Sequence, residues 1–177
     1  PNPNYAEVDV FIDGTQLYVP GDGSDGSLSV NSNIIVNNYT SVTSEITQKG
    51  VGNISVADTS EFLDGDTILI IQMQGTNGKN AGIYEFINDV KIHNSTLIIF
   101  NESLENTYYS GVFDQTGANA TQVVRIPEYT NVTINGGNII AAAWDGYTGG
   151  VVAFMSQTYV NFVSGIINVS SQGFRGG

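Results

Sequence analysis

Two stretches near the C-terminus of the sequence repeat each other with an offset of 28 residues. The matched pairs are Val132 with Val160, Ile134 with Phe162, Gly137 with Gly165, and Ile139 with Ile167. A repeat of this length indicates a solenoid, a propeller or an array. Apolar residues alternate within each copy, which indicates β-strands. We therefore predict two coils of a β-solenoid over residues 130–177, with two antiparallel hairpins of a β-sandwich as the alternative.

Each copy ends on a glycine-rich motif, Gly-Tyr-Thr-Gly-Gly at 146–150 and Gly-Phe-Arg-Gly-Gly at 173–177. Glycines of this kind lie where the chain turns tightly or where another backbone passes close by. No third copy follows the second in this sequence, and solenoids normally cover their end coils. We therefore expect the two coils to be incomplete, either as part of a longer polypeptide or as a subunit that pairs with a neighbour.

The rest of the sequence is also rich in strand and turn signals, so we predict an all-β fold with almost no helix. Charged residues make up only 12% of the chain, and Gly, Asn, Ser and Thr are abundant, which favours strands and turns over helices. The most apolar stretch, residues 67–74, predicts a strand that is buried on both faces.

Three regions are expected along the chain. Residues 1–20 contain an alternating strand that pairs within its own chain or is donated to a neighbouring subunit. Residues 21–129 are expected to form a β-sandwich or barrel-like module. Residues 130–177 are expected to form the short right-handed β-solenoid, or β-helix.

The charge balance excludes several classes of partner. Five Lys and Arg stand against 17 Asp and Glu, for a formal net charge of −12. So few scattered basic residues cannot form a phosphate-binding surface, so we expect no nucleic acid partner and no binding to an anionic membrane surface. No apolar run is long enough to insert into a membrane. The absence of cysteine excludes disulfides and thiolate metal sites.

Seven Asn-X-Ser/Thr triplets point to secretion and make the chain a candidate glycoprotein. The candidate acceptors are Asn38, Asn53, Asn94, Asn101, Asn119, Asn131 and Asn168. We expect an extracellular or cell-surface location.

The motif Gly-Asp-Gly-Ser-Asp-Gly at 21–26 predicts a turn. Asp22 and Asp25 are weak candidate ligands for Ca²⁺, although their spacing does not match an EF-hand loop. The alternative is an Asx-type turn whose carboxylates accept local backbone hydrogen bonds. No other cofactor is expected.

No catalytic constellation is visible in the sequence. His93 is the single histidine, which leaves no basis for a Ser-His-acid triad or a histidine zinc site. Glycosidases need two carboxylates at a fixed separation, and the repeat offers Asp145 without a matching acid. Trp144 and Tyr147 form a candidate glycan platform, with packing inside the coil as the alternative.

The turn at 21–26, the segment Phe62-Leu-Asp-Gly-Asp leading into Ile-Gln-Met-Gln-Gly, and the two glycine-rich endings together resemble large prokaryotic secreted proteins. These are adhesin-like surface proteins with β-helical repeats. The resemblance implies a structural role outside the cell or at its surface, and it brings no catalytic residues.

The leading hypothesis is therefore a non-enzymatic extracellular structural or adhesive protein, which assembles through β-strand edges into a filament or surface layer. Its partners would be further copies of itself or neighbouring β-domains of a longer chain. The alternative is a carbohydrate-binding or polysaccharide-cleaving β-helix protein that uses Trp144, Tyr147 and Asp145, with glycans as partners.

Overall fold

The computed structural model describes residues 21–75, 81–110 and 119–173. The predicted strand within residues 1–20 and most of the glycine motif at 173–177 lie outside the described residues. All regular elements in the described ranges are β-strands, which confirms the all-β prediction. No helix in this part of the chain is long and apolar enough to cross a membrane.

The described residues form fifteen strands. These are β1 (Ser27–Val30), β2 (Ile34–Ile35), β3 (Tyr39–Ser41), β4 (Asn53–Ser55), β5 (Thr67–Gln74), β6 (Tyr84–Ile87), β7 (Lys91–Asn94), β8 (Leu97–Ile99), β9 (Ala120–Ile126), β10 (Glu128–Tyr129), β11 (Asn131–Asn135), β12 (Ile139–Ile140), β13 (Met155–Ser156), β14 (Val160–Ser164) and β15 (Ile167–Asn168).

Three parallel coils stack on one another to form a short β-helix. In one sheet β11 lies between β1 and β14, and in another β12 lies between β2 and β15. Val132 pairs with Val160 and Ile139 pairs with Ile167, so the 28-residue spacing is the period of the stack, as predicted. The hairpin alternative is excluded for this region because these pairings are parallel.

The first coil was not expected. Residues 21–129 were assigned to one β-rich module, but Leu28 of β1 pairs with Val132 and Ile34 of β2 pairs with Ile139. Residues 27–35 therefore belong to the β-helix. The sequence does not reveal these residues as a copy of the repeat, because the intervening chain separates the first coil from the second by far more than one period.

Apolar residues of the coils point inward and form the core of the β-helix. Val30, Val132, Ile134 and Ile139 are fully buried there. Burial of each such side chain contributes about 1.5–3 kcal/mol. The corresponding positions in the third coil are more exposed, as at Phe162 and Ile167.

A corner of the stack has room only for backbone. Ser32, Gly137 and Gly165 lie above one another in the three coils. A Cβ atom on Gly137 would lie 2.5 Å from the carbonyl carbon of Ser32, and one on Gly165 would overlap the carbonyl oxygen of Gly137. Gly165 also has a φ of 110°, which side chains disfavour. The close backbone approach that was predicted for the glycine-rich motif at 146–150 is found there at Gly149, where an added Cβ would lie 2.6 Å from the Ala143 carbonyl oxygen, and at this corner as well.

The described residues between 39 and 126 form an antiparallel module inserted between the first and second coils. A four-stranded sheet has the order β3-β9-β5-β6, and a three-stranded sheet has the order β4-β8-β7. Their facing sides share one core, which includes Ile68, Ile98 and Val123. This is the sandwich form of the predicted module, because neither sheet closes on itself within the described ranges. Strand β5 is buried on both faces over most of its length, as predicted.

The opposite face of the four-stranded sheet packs against the β-helix. Leu69 and Val124 are buried there beneath Val151 and Met155, and the Tyr39 hydroxyl donates to the carbonyl oxygen of Val151 at 2.6 Å. The inserted module is therefore joined to the coils by a packed interface as well as by the two chain connections at its ends.

Asn37 holds the point where the chain leaves the first coil. Its Nδ2 atom donates to the carbonyl oxygens of Arg125 at 2.9 Å and Ala153 at 2.5 Å, and its Oδ1 accepts from the Ala153 N–H at 3.0 Å. One buried amide thus fixes the entry and the exit of the insertion against the segment before β13.

Two partly buried ion pairs that share Arg125 link the same elements. The Arg125 guanidinium lies 2.8 Å from Asp25 Oδ1 in the turn before β1 and 2.8 Å from Asp66 Oδ1 in the turn before β5. Burial lowers the pKa of Arg125, but its hydrogen bonds to Asp66 and Asp25 outweigh that effect and raise it. Arg125 is therefore charged at physiological pH.

Candidate functional site

An open groove of about 390 Å³ lies beside the loop that carries Tyr147. Four segments form its wall: the end of β3 with the chain after it, Ser110, the start of β9, and the Tyr147 loop. The polar and aromatic residues that line it are Ser41, Thr43, Glu45, Ser110, Thr121 and Tyr147. Val42 and Ala120 contribute apolar surface.

The Tyr147 loop is fixed by its own carboxylate. Asp145 Oδ1 accepts hydrogen bonds from the backbone N–H groups of Tyr147 at 2.7 Å and Thr148 at 2.8 Å. The Asp145 N–H in turn donates to the carbonyl oxygen of Thr148 at 3.1 Å. Asp145 therefore shapes the loop, and it is not among the residues that line the groove.

A buried glutamine ties the other end of this loop to the sheet. Gln122 in β9 is fully buried. Its Nε2 donates to the Gly149 carbonyl oxygen at 3.0 Å, and its Oε1 accepts from the Gly149 N–H at 2.9 Å. Two reciprocal bonds to one residue leave this end of the loop little freedom. The Tyr147 side chain nevertheless keeps 45% of its surface exposed.

The groove offers hydrogen-bonding groups around this ring. Thr43 and Glu45 are exposed, and Ser41 and Ser110 are half-buried. The Thr121 hydroxyl is engaged, since it donates to the carbonyl oxygen of Tyr109 at 2.7 Å. Hydroxyls and a carboxylate beside an aromatic ring are suited to a ligand that has both apolar C–H faces and hydroxyl groups.

The two predicted platform residues have different positions. Tyr147 lines the groove, whereas Trp144 is half-buried outside the lining, with its backbone N–H donating to the carbonyl oxygen of Gln172 at 2.9 Å. Sequence reasoning missed Thr43, Glu45 and Ser110. No local signal marks them, because only the inserted module brings them to the Tyr147 loop.

The weak calcium candidates both have partners within the protein. Asp22 Oδ1 accepts from the Ser24 N–H at 2.8 Å, as in the predicted Asx turn. Hydrogen bonds from Ser24 lower the pKa of Asp22. Asp25 binds Arg125 and accepts from the Glu128 N–H at 2.7 Å. Over the described ranges, no three Asp, Glu, His or Cys side chains converge on a metal-sized site. Calcium binding stays a prediction.

The glycosylation candidates differ in exposure. Asn53, Asn94 and Asn101 are exposed and lie on or beside the three-stranded sheet of the insertion. The other four are half-buried. In two of them Nδ2, the atom to which a glycan would be attached, donates a hydrogen bond within the protein. Asn131 donates to Ser27 Oγ at 2.8 Å, and Asn38 donates to the Glu61 carbonyl oxygen at 3.2 Å. Glycosylation stays a prediction, with the three exposed residues as the accessible acceptors.

Comparison with known proteins finds similarity of fold only. No protein-family model matches the sequence, and no characterised protein matches it either. One similar structure is the Gp54 tailspike of Acinetobacter baumannii bacteriophage AP22 in complex with a capsular saccharide of A. baumannii. The two proteins are 13% identical in sequence with a TM-score of 0.40, and the match covers 80% of this chain and 27% of the tailspike. The gp61 tailspike of Pseudomonas phage phi297 is 10% identical with a TM-score of 0.37, over 73% and 22%.

A third tailspike, gp49 of Pseudomonas phage LKA1, is 10% identical with a TM-score of 0.32, over 67% of this chain and 27% of its own. The chain thus spans about a quarter of the length of these tailspikes. The prediction that the chain is not an enzyme is wrong on this comparison. It assigned the chain to structural surface proteins, whereas the similar structures are tailspikes, one of which holds a capsular saccharide.

Proposed function

We propose that this chain is a polysaccharide-binding β-helix segment of an extracellular or cell-surface protein, with the groove beside Tyr147 as its binding site. The observation that carries the proposal is the exposed Tyr147 ring on a loop held by Asp145 and Gln122. A loop whose backbone is fixed before binding loses little conformational entropy when a ligand covers its aromatic ring. The capsular saccharide in the AP22 tailspike belongs to that protein, and the proposal for this chain rests on its own groove.

Each part of the groove has a role in this function. The ring of Tyr147 provides a flat apolar surface against which the C–H face of a sugar ring can pack. Thr43 and Ser110 provide hydroxyls that donate to and accept from sugar hydroxyls. Glu45 provides an acceptor whose charge strengthens its hydrogen bonds.

The Tyr147→Ala variant is expected to bind its polysaccharide at least about tenfold more weakly, a loss of about 1.4 kcal/mol, because the stacking surface is removed. A glycan array identifies the ligand, and calorimetry measures both affinities. Cleavage of the bound polysaccharide would appear in the same samples as new reducing ends.

The matched control is Tyr159→Ala. Tyr159 is 42% exposed, close to the 45% of Tyr147, but it lies in the third coil and does not line the groove. Its replacement is expected to leave the affinity unchanged, and both variants should melt near the wild-type temperature. Wild-type affinity in Tyr147→Ala, or no binding by the wild-type protein to any glycan on the array, would refute the proposed site.

A second candidate function is assembly through the third coil. Within the described chain β14 pairs only with β11, and β15 pairs only with β12. Phe162, Val163 and Ile166 each leave apolar surface exposed on this coil. Surfaces of this kind commonly pair with another β-element, and a second copy of the chain is the partner that we propose.

This candidate predicts that the protein's mass by light scattering rises with concentration, and that Val163→Asp suppresses the rise by placing a charge on the contact surface. Leu63→Asp is the control, because Leu63 is similarly exposed (65%, against 59% for Val163) but lies in the inserted module. A monomer at every concentration would exclude self-assembly through this surface.

A further inference from the structure

Two aromatic side chains lie exposed next to each other on β6, at the edge of the four-stranded sheet. Tyr84 is 58% exposed and Phe86 is 44% exposed. Their ring centroids are 5.9 Å apart and their ring planes meet at 82°, which is the edge-to-face contact that aromatic pairs favour. Within the described chain β6 pairs only with β5, so no described strand flanks its outer edge.

The pair projects from the side of the sheet that faces the β-helix. Tyr84 lies directly opposite Ile71 on β5, and Phe86 lies directly opposite Leu69. Side chains at directly opposite positions of an antiparallel pair lie on one face of the sheet. Leu69 is buried in the interface with the coils, whereas the two rings stay exposed. They therefore extend this face beyond the area that the coils cover.

The strand register places this pair in line with the groove. One residue from each strand forms a row across the sheet: Ser41 in β3, Gln122 in β9, Ile71 in β5 and Tyr84 in β6. Ser41 lines the groove, and Gln122 holds the Tyr147 loop. Three strand spacings separate the ends of the row, so the backbones at Ser41 and Tyr84 are roughly 14–15 Å apart. A few linked sugar units span that distance.

The size of the aromatic pair favours a sugar over a protein as its ligand. A Tyr or Phe side chain can bury about 150–250 Å², so two rings that are about half exposed offer roughly 150–250 Å² between them. A stable protein interface needs about 800 Å² from each partner. One face of a sugar ring is small enough for one or two aromatic rings to cover, and its C–H groups pack against them.

We infer that Tyr84 and Phe86 form a second polysaccharide-binding surface, and that a polysaccharide bound beside Tyr147 extends toward β6 and packs on this pair. The inference rests on the proposed function, because it adds a further surface to the same binding. When one chain is held at the groove, its contact with the second surface is intramolecular. The affinity for long chains is therefore higher than the affinity for short ones.

The test measures affinity against the length of the sugar chain. Amylose, galactomannan, alginate and polygalacturonate are each compared by calorimetry with their own disaccharides and longer oligosaccharides. The full chain is expected to bind the long oligosaccharides of at least one of these polymers about tenfold or more tightly than the disaccharide. The rise should come at the length that first spans the row from Ser41 to Tyr84.

The variants identify the source of this length dependence. Tyr84→Ala, and separately Phe86→Ala, is expected to weaken binding of the long oligosaccharide at least about fivefold and to leave binding of the disaccharide unchanged. Tyr147→Ala should weaken both. Tyr159→Ala is the control, since Tyr159 is 42% exposed, close to the 44% of Phe86, but lies in the third coil. Melting temperatures of all variants show whether the fold is retained.

The outcomes separate this inference from the proposed function. If binding depends on Tyr147 but Tyr84→Ala and Phe86→Ala bind long oligosaccharides like the wild-type protein, the groove stands and the second surface is wrong. If binding depends on Tyr84 and not on Tyr147, the pair binds polysaccharide and the groove proposal fails. If none of the four polymers or their fragments binds, both surfaces are refuted.

Discussion

The Gly137→Ala variant is expected to lose about 3 kcal/mol or more of unfolding free energy, which corresponds to a fall of about 6–12 °C in melting temperature. The added methyl group would occupy space already taken by the backbone of Ser32, whose carbonyl carbon would be 2.5 Å away. A flexible side chain could rotate aside, but backbone cannot. Relief would require the first and second coils to separate at this corner, which would disrupt the pairing of β2 with β12.

Thermal unfolding followed by circular dichroism measures this effect, and Gly173→Ala is the matched control. Among the described residues, no heavy atom outside its chain neighbours lies within 4 Å of a Cβ added at Gly173, so that substitution should leave the melting temperature within about 1–2 °C of the wild-type value. Equal melting temperatures for Gly137→Ala and Gly173→Ala would contradict the close backbone stacking described for this corner.

The second large effect is expected from Arg125→Met, at about 3–5 kcal/mol of unfolding free energy. Arg125 is the only partner bridging Asp25 and Asp66 among the described ion pairs, and its side chain is 15% exposed. Methionine retains much of the apolar stem but leaves two carboxylates facing each other. Of these Asp66 is the more buried, with 7% of its side chain exposed against 21% for Asp25. Uncompensated charge in a buried site is the main source of the loss.

Lys91→Met is the control for this prediction. Lys91 and Asp89 also form an ion pair, at 3.0 Å, but their side chains are 48% and 66% exposed. Exposed pairs of this kind contribute about 0–1 kcal/mol. Denaturant unfolding of the two variants should therefore differ by several kcal/mol, and similar free energies for both would show that Arg125 is not a buried structural charge.

The β-helix could be predicted in part because its second and third coils follow one another directly. The pairs Val132–Val160 and Ile139–Ile167 are separated by one fixed period, which a single sequence reveals. The first coil could not be found in this way. Leu28 pairs with Val132 just as Val160 does, but the insertion replaces the regular spacing with a long detour.

The functional residues were predictable only where their chemistry was local. Tyr147 lies in a glycine-rich motif and was recognised as an exposed aromatic residue. Glu45 gave no such signal, because only the folding of the inserted module against the coils brings it to the wall of the groove beside Tyr147. The same applies to Asp25, which was considered for calcium or a local turn but binds Arg125, 100 positions away.

The interruption of the coil stack has a consequence for the order of folding. The second and third coils are close in sequence, so they can associate with a small loss of chain entropy. Pairing of β1 with β11 must instead bring together segments separated by the whole inserted module. Because pairings between distant segments form slowly, we expect the first coil to dock last. By then the folded module would hold its two ends close together, so that β1 lies near β11. Synthesis of β1 therefore precedes its incorporation into the β-helix by the time needed to make and fold the chain up to β11.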